Sequence, residues 1–434
     1  MAFRNNNTIE GHQSNIALFQ QPYVDTAIEN VEWIDYRPVS QLTRGAAIDF
    51  NVPGNGLNYI DLKSTKLYIK VRILRPDGTK VMASDKVGFI NTPLSSLFRQ
   101  ADVCLNQQVI SPGIGTNYGY KGHCDLLLRN SEDAKESQLQ SQLFYKDTAG
   151  FMNAVDPDEG ANFGLIERWA WTRNGDAVEL EGPIYVDIMQ QERFLLNGVQ
   201  LNIKLFPASD AFCLMSTHTD TYTVDIIDAK LKVCTVKVSP NIVVSHNAAL
   251  SRSPALYPFH KSEIKAYSIP TGLLTWSIDD LFLGNVPDRV IVGLTDSLGY
   301  SGSVSKNPFN FQNMNVSFMG FYVDGTSQPS QPFTPDYNTK AYVAPYLSLF
   351  QGCGKYMKDE GNYITRDDFA NGYALYMFDL TSNHSEEVDT LSRKGQTRLS
   401  LQFSEPLPTT TTVIVYARFP AMLQIDQARN VLVS

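Results

Sequence analysis

Apolar and polar residues alternate one by one through much of this chain. Gln200-Leu201-Asn202-Ile203-Lys204-Leu205 and Arg398-Leu399-Ser400-Leu401-Gln402-Phe403 are the cleanest cases. Period two places the apolar side chains on one face of a strand and the polar ones on the other, the mark of a sheet that covers a core. The same pattern predicts strands over Ala46–Val52, Lys66–Leu74, Ala101–Leu105, Ile184–Met189, Tyr222–Val238, Ser262–Ile269, Asp288–Thr295, Asn315–Val323, Ala374–Leu380 and Thr412–Phe419. Gly54-Asn55-Gly56, Asp77-Gly78 and Asp324-Gly325 supply turn chemistry between them. Helical spacing is rare. It predicts a helix in Cys124–Phe144, where three leucines give way to the polar Ser131–Gln142, and a shorter one over Ala341–Phe350.

The landmarks come twice. After Gly182 and again after Gly372 a predicted strand opens, then an alternating strand ends near Pro207 or Pro406, and a long β-branched strand follows. Tyrosines lie upstream in both halves (Tyr118 and Tyr120; Tyr342 and Tyr346). Loop lengths differ, so this is a structural echo of a duplication. A chain of 434 residues exceeds what one hydrophobic core usually serves. The seam is expected at Ser239–Pro258, where prolines and small polar residues interrupt any ladder. The expected organisation is an arm over 1–40, a β domain over 41–238, a linker over 239–259, and a second β domain with a C-terminal tail over 260–434. Two all-β domains of this size suit two jelly rolls or two sandwiches. Long loops such as Gly150–Ala177 are where partner contacts are expected.

Composition narrows the picture. With 43% hydrophobic and 19% charged residues the chain can build ordinary cores. The polar start Met1-Ala2-Phe3-Arg4-Asn5-Asn6-Asn7 is not a secretory signal, so export by that route is not expected. No run approaches the roughly 20 apolar residues of a membrane-spanning helix. Cys104, Cys124, Cys213, Cys234 and Cys353 are an odd, widely spaced set, which reads as reduced thiols in a cytosolic or nuclear protein. A net charge of −9 with scattered cations argues against a nucleic-acid grip through a basic face.

Candidate chemistry is thin. Asp279-Asp280, Asp359-Glu360 and Asp367-Asp368 are carboxylate pairs, yet neighbours on a strand point to opposite faces and do not make a glycosidase pair by themselves. His123-Cys124-Asp125 contains the residue types of a nucleophilic triad, but adjacent side chains cannot converge. His218 and His260 lack a second histidine at metal spacing. Asn6-Asn7-Thr8, Asn315-Val316-Ser317 and Asn383-His384-Ser385 match the glycosylation sequon by chance, and Pro112-Gly113-Ile114-Gly115 lacks the lysine of a phosphate loop. No catalytic group, cofactor or metal is expected. The 21 Tyr and 23 Phe are the positive signal, since many fall in loops and aromatic anchors dominate large subunit interfaces. On that ground Tyr118, Tyr120, Phe309, Phe311, Phe333, Tyr337, Tyr342 and Tyr346 are candidate interface residues, with ordinary core filling the reading they compete against.

Several segments resemble one family. Tyr59-Ile60-Asp61-Leu62 with Lys66-Leu67-Tyr68-Ile69-Lys70-Val71, and Asn307-Pro308-Phe309-Asn310-Phe311 running into Val316-Ser317-Phe318 and Tyr322-Val323-Asp324-Gly325, are similar to the major capsid (hexon) proteins of Maverick/Polinton elements and adintoviruses. Pro93-Leu94, Leu97-Phe98, Val103 to Asn106 and Val290-Ile291-Val292-Gly293-Leu294 add to the likeness, which runs from about Ala46 to Phe419. The resemblance implies two tandem eight-stranded jelly rolls with short helices in their loops. It also implies a homotrimer that serves as a pseudo-hexameric capsomer of an icosahedral shell around double-stranded DNA. The implied partners are neighbouring capsomers, a single-jelly-roll vertex (penton) protein and minor capsid proteins. The place would be the virion capsid, after assembly in the host nucleus or cytoplasm. The rival expectation is a β-sandwich that binds or degrades polysaccharide.

Overall fold

The computed structural model describes residues 26–54, 56–111, 117–218, 221–381 and 392–433, together with Leu18. Most of the expected arm, the sequons at Asn6 and Asn383, and Pro112-Gly113-Ile114-Gly115 lie outside the described residues.

Eight strands build the two four-stranded sheets of the first half: β1 (Ile28–Tyr36), β2 (Ile48–Val52), β3 (Tyr59–Leu74), β4 (Phe98–Leu105), β5 (Gln108–Val109), β6 (Val178–Pro183), β7 (Leu201–Pro207) and β8 (Thr223–Val238). They form two antiparallel sheets, in the orders β1-β8-β3-β6 and β2-β7-β4-β5. Eight more build the corresponding two sheets of the second half: β9 (Ala255–Ile269), β10 (Thr275–Ile278), β11 (Arg289–Asp296), β12 (Val316–Val323), β13 (Thr326–Ser327), β14 (Leu375–Asp379), β15 (Thr397–Phe403) and β16 (Thr411–Ile425). Their orders are β9-β16-β11-β14 and β10-β15-β12-β13, the first arrangement repeated strand for strand. Each half is therefore an eight-stranded jelly roll. A last strand, β17 (Val431–Val433), pairs with the end of β16.

Alternation explains both cores. In β7 Leu201, Ile203 and Leu205 point inward, and in β15 Leu399, Leu401 and Phe403 do the same, all of them buried. The β12–β13 hairpin turns on Asp324 and Gly325, both at positive φ, the two-residue geometry that suits the strand twist.

Three expectations need correction. The predicted strand Ile184–Met189 is buried but leads into a 3-10 turn at Asp187–Gln190, and the paired strand is the alternating Val178-Glu179-Leu180-Glu181 stretch before it. A continuous apolar run does not reveal its backbone by periodicity. The expected arm contains β1, the edge strand of the first barrel. The expected linker holds an eleven-residue helix, Pro240–Leu250, and the first five residues of β9. Pro240 stands at the start of that helix, where its missing N–H costs nothing, and Pro258 lies on an edge strand, so neither breaks its element.

The helix expected within Cys124–Phe144 starts earlier, as α1 (Tyr118–Arg129), and is followed by two short turns. Further along the chain come α2 (Phe163–Ala170), the Pro240–Leu250 helix as α3, and α4 (Val343–Gly352) where Ala341–Phe350 was expected.

The cores interlock. Tyr257, Phe259, Leu423, Ile425 and Val431 from the second half join the core of the first barrel, and Tyr120, Cys124, Leu127 and Leu165 from the first half join that of the second. Leu401→Asp would put an unpaired carboxylate between the second barrel's sheets, at a cost on the order of 4 kcal/mol. Its soluble yield should collapse. Gln402→Asp, one residue on and facing water, should shift stability by less than about 0.5 kcal/mol. Equal yields from the two would show that the inward face is misassigned.

Candidate functional site at the seam between the barrels

Helix α1 is buried from Tyr118 to Leu128, so it has no solvent face. One side holds the first barrel. The Tyr118 hydroxyl accepts a hydrogen bond from the Tyr185 N–H at 3.0 Å, and Leu126 enters the first core. Gly122 fits because it lacks a Cβ, which would stand 2.5 Å from the Ser95 side chain. The other side meets the second barrel. Asn117 donates to the Ile264 carbonyl of β9 and accepts from the Tyr300 hydroxyl.

At the centre of that face lies Lys121, fully buried. Its Nζ is 2.9 Å from Asp125 Oδ2, 2.7 Å from Asp187 Oδ1 and 3.2 Å from the Tyr416 hydroxyl of β16. Ser262 of β9 donates through its N–H and hydroxyl to Asp187, and Tyr416 donates to Asp125 at 2.8 Å. Burial alone would push the Lys121 ammonium down, but the Asp125 and Asp187 carboxylates outweigh it and hold its pKa well above the usual value. Burial likewise opposes the charge on Asp125, and the Arg129 and Lys121 cations overcome it and lower its pKa. The cluster is an ion network that spans both barrels.

A second buried cluster lies beside it. Arg168 of α2 donates to the carbonyls of Phe89 and Tyr145, each at 2.8 Å, and to Asp147 at 2.7 Å, with both charged side chains fully buried. Asp147 accepts in turn from the Asn307 amide of the second half at 3.1 Å. The Pro308 carbonyl takes the Tyr120 hydroxyl at 3.2 Å. The next residue, Phe309, lies flat on His123 with ring centroids 4.0 Å apart, and Tyr120 meets its edge at 5.4 Å. Burial, then the Lys135 and Arg168 cations, pushes the His123 imidazole down to about 3. It is therefore neutral.

Tyr118, Tyr120, Phe309, Phe311, Phe333 and Tyr342 are buried by this chain's own atoms. Tyr337 and Tyr346 are half-buried, the first bonded to the Tyr376 hydroxyl and the second to the Ile364 carbonyl. Tyr120, Phe309 and Phe311 meet at the seam, Tyr118 packs in the first core, and the other four pack within the second half. These aromatics join one barrel to the other or fill a core, and have little surface left for another chain.

The remaining candidate chemistry disperses. Asp279 pairs with Arg398 on the surface, while Asp368 caps a short helix and binds Lys146. Asp359 and Glu360 are exposed. His123, Cys124 and Asp125 point to three different surroundings, and burial raises the Cys124 thiol. His260 faces Asp288 at 3.6 Å, and Asn315 donates to Glu405. Among the described residues no group of three His, Cys, Asp or Glu is placed to hold a metal.

No protein-family profile matches the chain. An uncharacterized protein of Caenorhabditis elegans is 22% identical over 427 residues, which cover 95% of this chain and 99% of that protein. Among solved structures, a chain of the Sputnik virophage aligns with a TM-score of 0.64 at 12% identity, over 99% of this chain and 93% of its own. The mavirus major capsid protein aligns with a TM-score of 0.53 at 11% identity, covering 100% and 97% of the two chains. The Faustovirus major capsid protein gives 0.53 at 9%, over 95% and 93%. The fold is the double jelly roll of viral major capsid proteins.

The polar core of this double jelly roll escaped the sequence reading. Lys121 and Asp125 do carry a signal, a cation and an anion four apart on one apolar helix. Asp187, Ser262 and Tyr416 carry none, because only the tertiary fold brings them together.

Two outcomes test the seam. Lys121→Met would leave Asp125 and Asp187 buried without their shared cation, at a cost of about 3–5 kcal/mol by denaturant unfolding. A loss under about 1 kcal/mol would place the seam's strength in its aromatic cluster. His123 predicts acid sensitivity. An unfolded histidine protonates near pH 6.5, so below that pH the unfolded chain takes up a proton that the folded one refuses. Stability then falls as pH drops from about 6.5 toward 3, by up to ~1.4 kcal/mol per pH unit from this group. His123→Phe keeps a ring on Phe309 and removes the titration. Its melting temperature should fall less than the parent's between about pH 7 and about pH 4.5. Equal falls would exonerate His123.

Proposed function

We propose that this chain is the major capsid protein of a virus or virus-like element, of the Maverick/Polinton and adintovirus kind. In this reading three copies form a pseudo-hexameric capsomer, and capsomers tile an icosahedral shell around a double-stranded DNA genome. The observation that carries it is the interlocked pairing of two barrels with identical strand order, in a fold shared over nearly the whole chain with mavirus and Faustovirus major capsid proteins. Three such chains supply six similar units, which is what a hexagonal lattice site needs. The role is structural, and the binding energy comes from wide shape-matched faces, as in other obligate oligomers.

The other partners in this reading are neighbouring capsomers, a single-jelly-roll vertex protein and minor capsid proteins. A net charge of −9 suits a shell that encloses DNA without gripping it in a basic groove. Sizing with light scattering tests the proposal: the purified protein should run near three times the 48.5 kDa chain mass, and negative-stain images should show hexagonal outlines with three-fold symmetry. A stable monomer at high concentration would overturn the reading.

A further inference from the structure

We infer that the polar pocket at the loop end of the second barrel is a binding site for an uncharged, hydroxyl-rich ligand, a neutral saccharide. The site stands on this chain's own residues and goes beyond the shell role proposed above.

The strands of the second barrel place it. Strands β9 and β16 run antiparallel, with Ile269 opposite Thr411 at one end and Ala255 opposite Ile425 at the other. The first of these ends gathers the β11–β12, β13–β14 and β15–β16 connections. Between them, with Gly150 of the first half, lies a pocket of about 370 Å³, within the ~300–1,000 Å³ range of small-ligand sites.

Side-chain amides build its wall. Asn313 donates to the Ala370 carbonyl at 2.7 Å and accepts from the Asn315 N–H at 2.8 Å, and Asn371 donates to the Asp367 carbonyl. The β15–β16 connection is pinned as firmly. The Ser404 N–H reaches the Asn315 carbonyl at 2.9 Å, and the buried Leu407 bonds through its N–H to Leu273 and through its carbonyl to Gly272. Walls fixed beforehand lose little freedom when a ligand binds.

Two amides are left over. Asn310 and Gln312 line the pocket, and among the described residues nothing hydrogen-bonds their side chains. Gly372, at φ 129°, leaves room for Asn310, since a Cβ there would stand 3.1 Å from its Oδ1 and 2.3 Å from the Met152 sulfur. Glu405 gives one carboxylate oxygen to Asn315 Nδ2 at 3.3 Å, and no described residue takes the other.

This set selects its ligand. A primary amide both donates and accepts, whereas a carboxylate only accepts. Neighbouring hydroxyls on one ring satisfy amide and carboxylate together, because each hydroxyl does both. Among the described lining residues Glu405 alone is charged. With no cation beside it, that carboxylate repels phosphate, sulfate and acidic sugars. Ala370, Pro406 and Pro408 add a small apolar surface, and Phe151, next to Gly150 in the chain, is 54% exposed. An exposed ring is a flat apolar face for the C–H side of a sugar.

Saturation-transfer NMR on the purified full chain tests the site. The probes are the methyl glycosides of glucose, galactose, mannose and N-acetylglucosamine, with N-acetylneuraminic acid as the anionic control. At least one neutral glycoside should receive saturation, and the acid should not. Titration of that glycoside should weaken about tenfold in Gln312→Leu and in Glu405→Leu, the loss of one ligand hydrogen bond each. Glu192→Gln, at an exposed side chain of the first barrel, should leave it unchanged, as should EDTA. Should a leucine variant melt early, Glu405→Gln, which keeps the shape and removes the charge, should still bind more weakly. Saturation of none of the neutral glycosides, affinity unmoved in the pocket variants, or a requirement for calcium overturns the site. A monomeric parent that binds the glycoside would overturn the capsomer reading and leave the site standing.

Discussion

One ammonium group, removed from water and ringed by oxygens from two barrels, sets the geometry of this molecule. Asp125 and Asp187 of its own half balance the charge of Lys121, and the Ser262 and Tyr416 hydroxyls that complete its shell reach it only when the second barrel sits at one angle. Grease alone tolerates sliding. A buried ion whose shell is completed from both barrels does not. Arg168 imposes the same demand a short way along, through Asp147 and Asn307. The two barrels therefore behave as one rigid piece, which is the property a repeating lattice unit requires.

Much of the barrel fold was legible in the chain because strands announce themselves by alternation. Leu201–Phe206 and Leu399–Phe403 lie as read, and the duplication appears in the sheets as an identical strand order. The misreadings share a cause: local chemistry was taken to decide what tertiary context decides. Pro240 and Pro258 looked like ladder breakers, yet one begins a helix and the other sits on an edge. Ile184–Met189 looked like a strand because it is buried, and burial has no period.

The seam was harder to see for the opposite reason. Aromatic residues in apparent loops suggested an outer surface, but Phe309 and Phe311 fold inward against His123 and Tyr120. The Asn307-Pro308-Phe309 segment matters less as an exposed motif than as a latch, since each of its residues bonds to or stacks on the first half. Residues such as Ser262 and Tyr416 are ordinary members of strands until a lysine from the other half arrives.

The shared cores carry a consequence for how the chain must be made. Leu423, Ile425 and Val431 belong to the same hydrophobic core as Ile48 and Phe50 of the first barrel. A ribosome delivers those partners at opposite ends of its task. The earlier barrel thus waits, with a gap in its interior, until nearly all of the later one has emerged. Nascent chains crowded on one messenger would expose that gap to each other, so slow elongation in the second half should favour aggregation over yield.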